Sequence, residues 1–181
     1  HDVYYGYSDD DGRTWYNAEG VHIGTVETNP MTLNTPGLKV WTVNKYRGLI
    51  NQESQAVDSK GGIHILQSYM LDGEPNNSNF WSSRIDKGYL RHIYRDDAGT
   101  WHSDVIARST RNRSEIAVDA NDNVYVVAPG YRVYYAASAE GWKTWRVLDI
   151  SEEGKAINEG LIDREAPVSY TYLTLPTKRI V

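Results

Sequence analysis

The chain contains no cysteine, one phenylalanine and two methionines among its 181 residues. Without cysteine there is no disulfide framework and no thiolate metal site, although the compartment stays open. No run approaches the ~20 apolar residues that span a bilayer. Basic residues are the minority, 19 against 24 acidic, for a formal charge of −5. That balance argues against the basic face that nucleic-acid binding demands. Neither nucleic acid nor a membrane is therefore an expected partner. The sequence also lacks a P-loop, a dinucleotide fingerprint and a nucleophile elbow.

What is plentiful is Tyr (14), Trp (6) and Gly (15). Tyr and Trp suit pleated, half-buried surfaces and present a flat apolar face with a polar tip. At 40% apolar and 24% charged, the composition is that of a globular domain. No segment sustains a helical period; residues 151–159, polar and interrupted by Gly154, read as loop.

An internal repeat sets the architecture. Residues 8–15 (SDDDGRTW), 94–101 (YRDDAGTW) and 138–145 (SAEGWKTW) all end in Thr-Trp. A second motif interleaves: Ala56-Val57-Asp58, Ala117-Val118-Asp119 and the opening of a third copy, Leu161-Ile162-Asp163. Asp58 and Asp119 are 61 apart, Asp119 and Asp163 are 44 apart, and the longer interval holds a polar insertion, 72–86. Without the insertion the period is about 43 residues, within the ~40–50 of propeller blades. Turn residues at 59–62 and 121–123 divide short alternating strands into hairpins. The expected fold is all-β, a fragment of about three blades of a β-propeller.

The two ends stand apart. The chain opens at His1 inside a strand pattern, so its true start is expected to be missing. Residues 167–181 break the repeat and resemble a translated sequencing adaptor. They are expected to be a non-native tail, leaving 1–166 as the partial propeller domain.

Ser8, Asp10, Gly12, Thr14 and Trp15 match the S-x-D-x-G-x-T-W pattern of the Asp-box at every fixed position. The Ser and Asp oxygens are expected to cap turn amides, the Gly to take a left-handed backbone, and the Trp to cover the hairpin. The other copies depart from it: Tyr94 replaces Ser, Ala98 and Trp142 replace Gly, and Glu140 replaces Asp. Asp10, Asp11 and Glu140 are accordingly read as structural.

Together with its flanks, in segments 2–15, 51–58, 92–101 and 113–119, the chain resembles the C-terminal half of the BNR-4 family. That family includes seven-bladed propeller polysaccharide lyases acting on ulvan, beside members of unknown activity. The resemblance implies a seven-bladed parent, secreted or periplasmic, with a polysaccharide substrate. It favours a lyase performing β-elimination on a uronate-containing glycan, with the isolated fragment inactive. A sialidase-like glycoside hydrolase and a non-catalytic glycan-binding propeller remain alternatives. The family's catalytic His and Tyr residues belong largely to blades outside this stretch and are not carried over. No cofactor is expected; a structural divalent cation at Asp9, Asp10 and Asp11 would lack the Glu-terminated loop of calcium sites.

Propeller ligands sit at the mouth of the central channel. Alignment on Asp58, Asp119 and Asp163 sets Asn51-Gln52-Glu53-Ser54 opposite Asn112-Arg113-Ser114-Glu115, with Asn158-Glu159 following. These polar groups precede apolar strands and are expected to ring the channel entrance. Arg108, Arg111 and Arg113 form the densest basic cluster. A uronate lyase must neutralise a carboxylate so that the adjacent C–H becomes acidic, and a bidentate Arg or an amide does so. Arg113 is thus a catalytic candidate, and Asn51, Gln52 and Arg111 are substrate-binding candidates. His92 aligns with Gly6 and Ala136, an anomaly that makes it a candidate general base, a metal ligand or a filler. His64 aligns with Tyr125 and reads as packing; His22 and His102 lie beside turns. His64 and His92 could share a metal across strands, but no local zinc spacing exists. Trp81, beside Phe80 in the polar insertion, is a candidate for stacking on a sugar ring.

Overall fold

The structure, a computed structural model, describes residues 2–49, 54–74, 80–109, 113–129, 132–149 and 159–163, with the backbone alone at Phe80, Trp81 and Asp149. The chain begins with β1 (Val3–Tyr4), β2 (Thr14–Tyr16), β3 (His22–Thr25) and β4 (Lys39–Trp41). β1 pairs with β4 and β2 with β3, and a Tyr7–Tyr16 bridge links the two pairs. Next come β5 (Gln55–Val57), β6 (Ile63–Met70), helix α1 (Phe80–Lys87), β7 (Gly88–Arg95) and β8 (Trp101–Arg108). β5, β6, β7 and β8 form one four-stranded antiparallel sheet in chain order. β9 (Glu115–Val118), β10 (Val124–Ala128), β11 (Arg132–Ala136) and β12 (Trp145–Asp149) repeat the arrangement. Among the described residues the fold is all-β apart from α1 and one 3-10 turn, and it forms a partial β-propeller.

Strand alternation explains why the sheets stack. Along β10, Val124 and Val126 are fully buried while Tyr125 between them is half-buried. Leu66, Leu90 and Tyr94 of the first blade meet Ile116, Val124, Val126, Tyr134 and Ala136 of the second in one core. Each of the Leu, Ile and Val side chains contributes roughly 1.5–3 kcal/mol by leaving water. On the other face of the first blade, Tyr69 and Ile93 pack with Val3 and Val43. A blade buried on both faces is what radial repetition produces.

Most hairpin turns share one polar device. Asp58 Oδ1 accepts the amides of Lys60 (2.9 Å) and Gly62 (2.6 Å). Asp119 Oδ1 accepts those of Asn121 and Asn123, both at 2.9 Å. Asp96 Oδ1 accepts Thr100 N at 2.8 Å, and Asn17 Oδ1 accepts Glu19 N and Val21 N at 3.0 and 2.9 Å. The second oxygen of each Asp faces a ring six residues on: His64 Nε2 at 3.4 Å, the Tyr125 hydroxyl at 3.2 Å, His102 Nε2 at 2.7 Å. After Asn17 the sixth residue is Ile23, which has no proton to give, and the turn residue there is an uncharged amide. A Cβ at Gly62 would press on the Asp58 carboxylate and make it shift, whereas Asn123 and Thr100 hold the same place in the Asp119 and Asp96 turns.

The turn at 8–15 is closed by side chains. Ser8 Oγ donates to Asp10 Oδ1 (2.8 Å) and accepts Gly12 N (2.9 Å). Asp10 also accepts Arg13 N (3.0 Å), Thr14 N (2.8 Å) and Thr14 Oγ1 (2.7 Å). These bonds, Thr14 N foremost, hold the Asp10 carboxyl down at about 2. Trp15 Nε1 donates to Gly12 O at 2.9 Å, with Gly12 at φ +81°. In the third copy Trp142 occupies the Gly12 position at φ +59°. Its ring lies edge-on to His64 (4.7 Å) and Tyr94 (5.3 Å), and its Nε1 donates to Asp122 O at 2.7 Å.

The structure corrects the reading of the insertion as loop: Phe80–Lys87 is an α-helix that runs directly into β7. Arg84 and Lys87 in its last turn suit the negative end of the helix dipole. Ser83 and Arg84 are buried, and the helix packs on β6 and β7. Tertiary contact supplies what the polar sequence pattern lacks. The segments at 151–158 and 167–181 lie outside the described residues.

Candidate functional site

In up-and-down blades, the loops that enter the first strands gather at one end. β5 and β9 lie side by side, so their entry segments meet. Ser54, Glu115 and Glu159 stand at one repeat position, four residues before Asp58, Asp119 and Asp163. Ser54 Oγ donates to Glu115 Oε2 at 2.9 Å and accepts Ile116 N at 3.2 Å. Glu159 takes the Arg113 guanidinium on both oxygens, Nε to Oε1 at 2.9 Å and Nη2 to Oε2 at 3.1 Å. The Arg113 amide adds a third bond to Oε1 at 3.2 Å. This pair holds the Glu159 carboxyl below its ordinary range and raises that of Arg113. Both side chains remain partly open to solvent, 45% and 38% exposed. The segment is seated by Gly160, where a Cβ would come within 2.6 Å of Val127.

The rim thus gathers Ser54, Arg113, Glu115 and Glu159. Asn51, Gln52 and Arg111 lie outside the described residues. Trp81 lies on α1 rather than on a loop. Arg108 is engaged elsewhere, its guanidinium 4.3 Å over the Tyr89 ring. Glu159 had been placed only as following the aligned segments; its offset from Asp163 sets it level with Ser54 and Glu115, and its partnership with Arg113 was not read.

His92 lies away from this rim. It is fully buried between the two blades, with Trp145 edge-on at 5.4 Å and Tyr94 stacked at 4.5 Å. Its Nε2 is 2.8 Å from His64 Nδ1, and the two rings are 5° from parallel. Asp58 accepts from His64 Nε2, which leaves His64 Nδ1 bare to accept from His92 Nε2. That order leaves His92 Nδ1 an unprotonated, buried atom without a partner. Burial drives His92 well below the ordinary histidine value, with His64 a further cause. Burial also lowers His64, against the pull of Asp58. A general base must reach the proton it takes, and a side chain with no exposed surface does not meet a polysaccharide in this packing. Nor does the pair bracket a metal, since its nitrogens share a proton at 2.8 Å. Among the described residues, no three His, Asp or Glu groups are placed to hold an ion. His22 Nε2 meets Thr25 Oγ1 at 2.9 Å, and His102 serves the Asp96 turn.

Blades, turns and rim have a counterpart among known families. Residues 1–109 match BNR_4, the BNR repeat-containing family. The chain belongs to that family. Membership points to a propeller-like BNR protein that acts on or binds glycans. No curated protein matches this BNR chain.

Proposed function

We propose that this BNR-repeat chain is part of a secreted or periplasmic, polysaccharide-active propeller, with seven blades in the parent. Its reaction is β-elimination on a uronate-containing glycan such as ulvan. Arg113 is the group that receives the uronate carboxylate. The observation carrying this reading is the Arg113–Glu159 pair: a half-open guanidinium that already grips a carboxylate with both arms. A uronate displacing Glu159 would find the same two-point geometry. Neutralising that carboxylate lets a base remove the adjacent proton while the glycosidic oxygen leaves from the next carbon. The four described histidines are engaged elsewhere, so base and acid belong to other parts of the ring.

That same absence of a free histidine near Arg113, among the described residues, favours a second reading, glycan binding without turnover. Incubation of the intact protein with ulvan separates the two. Lyase action predicts a steady rise in the ultraviolet band of unsaturated uronates, reduced about 100-fold or more by Arg113→Ala. Binding without any rise supports the second reading and removes the lyase.

A further inference from the structure

We propose that the cleft between the N-terminal strands and the first complete blade is a second glycan site, built for neutral sugar units. It opens beside the Asp58 and Asp96 turns, at the end of the β5–β8 blade opposite the loop that enters β5. Its volume is about 590 Å³, within the roughly 300–1,000 Å³ typical of small-ligand clefts.

One wall is aromatic. Tyr5, Tyr7 and Trp101 line it, all half-buried, with Tyr5 5.9 Å from Trp101 and 6.3 Å from Tyr7. Such a row offers ring faces to the apolar side of a sugar and hydroxyls to its rim. The facing wall carries paired charge. Lys60 pairs with Asp97 at 2.9 Å, and Arg95 leans on Glu19 at 3.8 Å. Asp58 and Asp96 are committed to turn amides and histidines. The lining holds three carboxylates, Asp58, Asp96 and Asp97, against two cations, Lys60 and Arg95, an excess that disfavours an acidic unit, while the exposed Lys60 ammonium keeps donors for sugar hydroxyls. At Gly61 a side chain would meet only open space, so the turn backbone is itself accessible.

The contrast with the neighbouring blade pair supports this. There the corresponding space is filled by Trp142 and latched by Ser59, whose N and Oγ both donate to Asp122 at 2.7 Å. In the third copy Trp142 occupies the place that Ala98 holds in the second, whose Thr-Trp turn borders the open cleft.

The inference rests on the glycan reading but uses different residues, so the two fail separately. The intact chain is titrated with xylohexaose and cellohexaose, followed by tryptophan fluorescence and by two-dimensional NMR. Saturable binding is expected, weakened about tenfold or more in Tyr7→Ala and in Lys60→Ala, and unchanged in Arg113→Ala. Lys60 has a largely exposed side chain, so its truncation leaves the fold intact and keeps the test valid should Tyr7→Ala unfold. No saturation by either hexamer, full affinity in Lys60→Ala, or loss in Arg113→Ala would overturn the second site. Loss of uronate binding in Arg113→Ala with retained hexamer binding supports both sites.

Discussion

His64 and His92 face each other across neighbouring strands, Nδ1 to Nε2 at 2.8 Å, in a fully buried, parallel stack. Both are held neutral by burial, their pKa values lowered from 6.5. The unfolded chain protonates them below pH 6.5 and the native state does not. Their contribution to stability is therefore complete above pH 6.5 and is lost as pH falls toward their native values. The slope reaches up to about 1.4 kcal/mol per pH unit for each histidine. Denaturant midpoints between pH 7 and 5 should fall steeply for the native sequence. They should flatten in the double variant His64→Phe with His92→Leu, which replaces both partners by apolar groups.

Asp119 accepts the Tyr125 hydroxyl and, with burial, lifts that phenol to about 12. Burial is the larger cause. In Asp119→Asn the Tyr125 pKa should fall toward 10 yet stay above it, as read by carbon-13 NMR of the ring. The same variant should be less stable, because an amide NH2 would then face the Asn123 Nδ2 donor that now bonds Asp119 Oδ2 at 3.0 Å.

Trp142 takes a left-handed backbone where Gly12 does so without a side chain. Trp142→Gly relieves that strain but removes the edge contacts to His64 and Tyr94 and the bond to Asp122 O. Losing a buried tryptophan outweighs the relief of about 1 kcal/mol, and the net loss should be about 2–4 kcal/mol. Thermal unfolding of the variant checks it.

Asp10, held at about 2 by its turn bonds, stabilises the fold above pH 3.8 and loses that effect as pH drops toward 2. Asp10→Ala should melt a few degrees lower at neutral pH. The gap to the native sequence should close near pH 2.

Much of this was legible in the sequence. The Asp58 and Asp119 motifs marked the repeat, and their offset set Ser54 opposite Glu115; the pairing of Arg113 with Glu159 was not read, because it joins different repeat positions. The equivalence of His64 with Tyr125 emerged as one shared turn device. Helix α1 was hidden because its stability comes from packing Ser83 and Arg84 on β6 and β7, not from an apolar stripe. His92 invited a chemical reading because a titratable ring at a small-residue position looks functional. Its partner is His64, two residues from the directly opposite position; the two had been set across strands as a shared metal site, and the register joins them as a hydrogen-bonded pair instead.

The central claim is that the rim at Arg113 recognises a carboxylate on a glycan. Calorimetric titration of the intact protein with a uronate-containing oligosaccharide, and with the same oligosaccharide after carboxyl reduction, tests it most directly. The account predicts at least about tenfold tighter binding of the acid, a preference erased by Arg113→Ala. Equal affinity for the two sugars, or a preference that survives the substitution, would contradict it.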